Sequence, residues 1–148
     1  LTFNGDTAAA NALDDYEEGS WTPTMTNTGS LSNGVALGRY TKVGRMVHFI
    51  AKLTWSARST NGGYNIKFQS LPFTAASYCQ FPIYVGGNEG FAHGYSGNTH
   101  IGGSVLAGTS EGQFRISDSD GGNEISFNGN QGSTGSGYIY WGGTYYIN

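Results

Sequence analysis

The chain has 148 residues, seven Lys and Arg against ten Asp and Glu, a formal net charge of -3 and 11% charged residues, well under the roughly 25% of an average soluble domain. That length predicts one domain able to bury a core without staples, and the single cysteine, Cys79, excludes an internal disulfide and a Cys-based zinc site. Mild acidity without any Lys/Arg cluster argues against nucleic acid as a partner, and no run of 18 apolar residues is present to insert into a membrane.

Gly, Ser, Thr and Asn supply 66 of the 148 residues, whereas Leu, Ile, Val and Phe supply 28, few enough to raise the question of disorder. Disorder also needs high net charge and few aromatics. Here the net charge is small, and eight Phe, ten Tyr and three Trp bring large buriable areas. The chain is expected to fold.

Residues 1–20 read as a connector or trimer-linking segment with at most one short helix. Asp6-Thr7 can cap a stretch through Ala8, Ala9, Ala10, Ala12 and Leu13, and the acids Asp14, Asp15, Glu17 and Glu18 oppose the dipole at its end. The start at Leu1-Thr2-Phe3, without initiator Met or signal pattern, is expected to be a cut from a longer chain. Residues 21–148 form the domain proper, and from Trp21 onward the period is two. The clearest case is 45–55, where Val47, Phe49, Ala51, Leu53 and Trp55 share an apolar face. Met46, His48, Ile50, Lys52 and Thr54 share the other, which suits cover by a neighbouring strand or subunit. Further strands are expected at 22–28, 38–43, 64–69, 78–85, 100–106, 113–117, 124–128 and 138–147, separated by Gly- and Asn-rich turns. Pro23 and Pro82 suggest edge positions or bulges, and Gly142-Gly143 a bulge or a close backbone approach. Many short strands with frequent turns predict an all-β fold, an antiparallel β-sandwich of jelly-roll-like type.

Particular strings then become informative. Leu13-Asp14-Asp15-Tyr16-Glu17-Glu18-Gly19-Ser20-Trp21-Thr22-Pro23-Thr24 resembles a signature near the start of C-terminal modules in bacteriophage tail fibres and tailspikes. Gly38-Arg39-Tyr40-Thr41-Lys42-Val43-Gly44-Arg45-Met46-Val47 is similar to that module's second marker, and Leu71-Pro72-Phe73-Thr74 to a third. The strings cover roughly the first half of the chain. The resemblance implies a virion structural protein, extracellular on the phage tail and homotrimeric, whose distal β-sandwich helps trimerise the fibre or binds host-surface polysaccharide. The low aliphatic content agrees with a protomer that completes its burial against partners.

The acidic run at 14–18 invites a glycosidase carboxylate pair, but sequence neighbours rarely straddle a substrate, and a solvated connector is the better reading. Asp118-Ser119-Asp120-Gly121-Gly122-Asn123-Glu124 has alternate oxygen side chains suited to calcium yet lacks the full EF-hand pattern, so an Asx-rich hairpin turn is favoured. His48, His93 and His100 show no metal-binding spacing, and Gly94-Tyr95-Ser96-Gly97 lacks the strand-to-helix context of a nucleophile elbow. No metal, cofactor or catalytic constellation is expected. The best candidate functional loop is 86–103, which carries Asn88, Glu89, His93, Tyr95 and Asn98 on a Gly-rich backbone. Sugar recognition uses flat aromatic faces for pyranose C–H groups and planar amides or carboxylates for hydroxyls. Tyr140, in the aromatic tail Tyr138-Ile139-Tyr140-Trp141, is a further candidate platform, while Trp21 and Trp55 are assigned to core or subunit contact.

The function expected is therefore glycan receptor binding by a homotrimeric tail-fibre or tailspike module, without enzymatic activity of its own. Two alternatives stand beside it: a non-binding trimerisation cap, and part of a polysaccharide depolymerase whose catalytic site lies elsewhere.

Overall fold

A computed structural model describes residues 16–32, 34–59, 65–78, 80–89, 100–117, 124–126 and 135–148. Its strands are β1 (Tyr16–Trp21), β2 (Thr24–Thr26), β3 (Leu31–Ser32), β4 (Val35–Val43), β5 (Met46–Trp55), β6 (Ala57–Arg58), β7 (Lys67–Gln69), β8 (Phe81–Glu89), β9 (His100–Val105), β10 (Gly112–Ser117), β11 (Glu124–Ser126) and β12 (Gly137–Tyr146). No helix occurs among the described residues. The short helix considered before residue 14, and the residues of the considered calcium turn ahead of Glu124, lie outside them.

Ten strands make one antiparallel sheet in the order β1-β4-β5-β12-β8-β9-β10-β7-β2, with β11 on β10, and β3 and β6 form a separate small pair. The two ends of that path, β1 and β2, are joined by Thr22 and Pro23 alone. A sheet whose outermost strands are two residues apart in sequence has to curl back on itself. The curl sets β10-β7-β2 against β4-β5-β12 as the second layer of a sandwich, and the expected all-β antiparallel class is what the chain adopts.

Aromatic rings fill the space between the layers. Phe68 of β7 lies 6.3 Å from Phe49 of β5 and 5.8 Å from Trp141 of β12, centroid to centroid, and Phe114 of β10 meets Trp141 edge-on at 5.6 Å. Val47, Phe49, Ala51, Leu53 and Trp55 are all buried, as the period of two in β5 requires. One end of the core is closed by the run after β7, where Leu71, Ala75 and Ala76 are buried. The Ala75 N–H donates to Thr109 O (2.8 Å) and the Ala76 N–H to Tyr146 O (2.7 Å).

Several expectations need correction. Strand β1 covers Tyr16–Trp21, so the last residues of the expected connector are a sheet strand paired with β4. Pro23 is buried between β1 and β2 and belongs to neither. Pro82 lies within β8, an interior strand, and is tolerated because the β12 ladder ends one residue away, at Ile83 opposite Gly143. The expected loop at 86–103 is shorter, because residues 86–89 continue β8, while β9 opens at His100 where a strand was expected. Gly103 serves close packing there: a Cβ on it would stand 2.1 Å from Gln113 O.

Candidate functional site

Because β4, β5, β12 and β8 are neighbours in register, their outward residues fall in straight cross-strand rows. At the β4–β5 hairpin end, Tyr16, Val43, Met46 and Tyr146 are paired in series across four strands, and all are exposed. Gly44, at φ +56°, occupies the first central position of that hairpin, where a type II′ turn places a glycine. The next outward row is polar: Glu18, Thr41, His48 and Thr144, with His48 Nδ1 3.1 Å from Thr144 Oγ1. Beyond it come Arg39, Ile50, Gly142 and Tyr84, then Leu37, Lys52 and Tyr140.

These last two rows enclose an open groove of about 370 Å³, lined by Leu37, Arg39, Ile50, Lys52, Tyr84 and Tyr140, with the backbone of the core residues Ala51 and Trp141 beneath. Next to Tyr84, on β12, stands Gly142, whose missing side chain makes room for that ring. A Cβ there would stand 2.5 Å from Tyr84 Oη and 2.7 Å from Phe49 O, so the tyrosine ring leans across the glycine. The wall is adjusted by a β-bulge: Tyr140 is opposite Gly87 and Trp141 opposite Val85, which leaves Gly86 as the extra residue. Tyr84 is 52% exposed and Tyr140 40%, so both rings present accessible faces to the groove. Lys52 Nζ sits 5.4 Å from the Tyr140 ring centroid, within cation–π range. Arg39 makes no ion pair or hydrogen bond among the described residues.

Of the expected site residues, Tyr140 lines this groove. Asn88 and Glu89 lie in β8, opposite Ile139 and Tyr138, with their side chains outside the described atoms. His93, Tyr95 and Asn98 lie outside the described residues. Tyr84, Leu37, Arg39 and Lys52 were not expected, although Lys52 and Ile50 had been placed on the polar-mixed face of β5. Of the acidic run, Asp14 and Asp15 lie outside the described residues, and Glu17 and Glu18 have separate roles. Glu17 accepts a hydrogen bond from the Tyr40 hydroxyl (2.5 Å), and Glu18 accepts one from the Tyr16 hydroxyl. Successive strand residues point to opposite faces, so these carboxylates do not flank a common cleft.

The three strings that carried the resemblance meet in space. Tyr16–Trp21 and Val35–Val43 form one ladder in which Gly19 faces Tyr40 and Trp21 faces Gly38. Each glycine is covered by the opposing ring: a Cβ would approach Tyr40 Cζ to 2.5 Å and Trp21 Nε1 to 2.3 Å. Phe73 of the third string then meets Tyr40 edge-on at 5.3 Å. The Phe73 backbone is held from below by Tyr145, whose hydroxyl donates to Phe73 O (3.1 Å) and accepts from Phe73 N–H (3.2 Å). Burial pushes the Tyr145 phenol well above the usual tyrosine range, so it keeps the proton it donates.

Among the described residues no group of three or more His, Cys, Asp and Glu is placed to hold a metal ion, and no helix is long and apolar enough to cross a membrane. No protein-family model matches the sequence, and no curated protein matches it. Among solved structures the fold matches part of the Dettilon tailspike protein (gp208), with a TM-score of 0.70 at 18% identity. That match takes in 90% of this chain and 24% of the tailspike chain, so this chain corresponds to about a quarter of that protein's length.

Proposed function

We propose that this chain is a module of a bacteriophage tail fibre or tailspike that binds host-surface polysaccharide without cleaving it, working as a homotrimer. The observation that carries the reading is the Tyr84–Tyr140 groove: two exposed rings and two flanking cations, all set on adjacent strands. A pyranose ring presents apolar C–H groups on one side and hydroxyls around its edge. Rigid aromatic walls with polar groups at the rim suit both. Strands hold such a wall in place more tightly than a free loop does. The shared fold with a tailspike protein supports the setting.

The trimeric part of the reading is supported by the other end of the same face. Tyr16, Val43, Met46 and Tyr146 form an unbroken exposed apolar row, separated from the groove by the polar row of Glu18, Thr41, His48 and Thr144. Apolar rows of this extent mark contact surfaces. Three copies would multiply weak single-site binding through effective concentration. A depolymerase activity of a longer protein would then reside outside this module.

The test is a bacterial polysaccharide array probed with the intact chain and with Tyr84→Ala and Tyr140→Ala. Each substitution is expected to weaken binding at least tenfold while the circular dichroism spectrum is unchanged. Binding that both variants retain in full would remove the groove from the account, and release of reducing ends by the chain would replace binding with catalysis.

A further inference from the structure

We infer that the saccharide recognised in the groove is anionic, bearing a carboxylate or phosphate on the unit that enters between Tyr84 and Tyr140. The inference rests on the glycan-binding reading above and names the class of ligand for that site. The chain as a whole is acidic, with seven Lys and Arg among 148 residues, yet two of those seven converge on this one groove. Arg39 stands in register with Ile50 on one side, and Lys52 in register with Leu37 and Tyr140 on the other, so the two cations belong to adjacent outward rows.

None of the described residues that line the groove is acidic. Glu18 borders an adjoining hollow beyond Arg39, but it accepts a hydrogen bond from the Tyr16 hydroxyl and forms no ion pair with the guanidinium. Elsewhere the chain neutralises its cations where an acid is near: Lys67 pairs with Glu111 at 3.1 Å. Among the described residues the groove therefore holds two positive charges beside apolar walls with no internal counter-charge. An anionic group placed between them gains from both, and a planar carboxylate or a phosphate matches the guanidinium fork with two parallel hydrogen bonds. The apolar walls lower the local dielectric and strengthen that attraction over what an open surface gives. A neutral saccharide gains only ordinary hydrogen bonds from the cations, without the charge–charge attraction an anion adds.

The experiment uses a panel of acidic bacterial polysaccharides carrying uronic acid, sialic acid or phosphate, each printed beside its carboxyl-reduced or dephosphorylated form and among neutral polysaccharides. The intact chain, Arg39→Gln, Lys52→Gln and Lys52→Arg are compared at low and high NaCl, with sedimentation mass measured for each. The inference expects binding confined to acidic members, at least tenfold loss on reduction or dephosphorylation, and similar loss for Arg39→Gln and Lys52→Gln. It also expects weakening in high salt and recovery in the charge-conserving Lys52→Arg. Equal binding to acidic and neutralised forms overturns the anionic class while leaving the saccharide site standing. No binding to any member by a folded chain overturns both readings. A fall in sedimentation mass for Arg39→Gln or Lys52→Gln, without selectivity for acidic members, assigns the groove to contact with a second copy and overturns the inference.

Discussion

At the scale of single residues, three glycines face an aromatic ring directly across a ladder: Gly19 under Tyr40, Gly38 under Trp21 and Gly112 under Phe68. Each pair works because the ring occupies the volume that a side chain on the opposite strand would take. Gly112 is the most constrained, with a Cβ position 1.9 Å from Cζ of the fully buried Phe68. Gly112→Ala is expected to cost about 1–3 kcal/mol, the usual range for overpacking, read as a lower denaturation midpoint with unchanged slope. Gly142 makes the same demand on the outer face, where Tyr84 leans over it. Gly142→Ala is expected to push that ring aside and weaken saccharide binding more than it lowers stability. Tyr145→Phe deletes the hydroxyl that both donates to and accepts from Phe73, and is expected to cost about 1–3 kcal/mol because a half-buried N–H and C=O lose their partner. The same phenol resists ionisation when buried. Its contribution is complete below the unfolded tyrosine pKa and is lost as the pH rises beyond it, so Tyr145→Phe is expected to make alkaline unfolding less steep.

Elements bring further consequences. On β7 and the turn before β10, Lys67 and Gln69 both bond the Glu111 carboxylate, and these bonds hold its pKa below the ordinary glutamate value. A depressed carboxylate stabilises the fold above its unfolded pKa and loses that contribution as the pH falls through the folded value. Glu111→Gln is therefore expected to flatten the acid limb of a stability–pH profile and leave its neutral region little changed, since the pair is partly exposed. The strands themselves were largely legible in the sequence. Val47 to Trp55 alternates so strictly that both the strand and its buried face follow from it. Strand β1 was hidden by its acids, because Glu17 and Glu18 read as connector until Tyr40 and Tyr16 are seen to bond them. Residues 86–89 were hidden by Gly86 and Gly87, which mark a loop in sequence but here continue β8 past a bulge. Of the groove, Tyr140 was legible as an outward aromatic. Tyr84 was not, because Phe81-Pro82-Ile83-Tyr84-Val85 is a continuous apolar run that names no face. Arg39 and Lys52 lie thirteen positions apart and become neighbours only through the β4–β5 register.

For the whole molecule, the outer face of β4, β5, β12 and β8 has two distinct surfaces divided by a polar row. The proposed function gives the groove end to saccharide and the hairpin end to a subunit contact, so substitutions at the two ends are expected to separate. Met46→Ser with Tyr146→Ser is expected to reduce the sedimentation mass from three times 15.7 kDa towards the single-chain value while leaving each chain folded. Tyr84→Ala is expected to leave that mass unchanged and lose binding. The most direct measurement is nuclear magnetic resonance of the chain with selectively labelled tyrosines, titrated with a polysaccharide that scores on the array. The account predicts that the Tyr84 and Tyr140 resonances shift in proportion to ligand while Tyr16 and Tyr146 stay still. Shifts at Tyr16 and Tyr146 with Tyr84 and Tyr140 unmoved would contradict it.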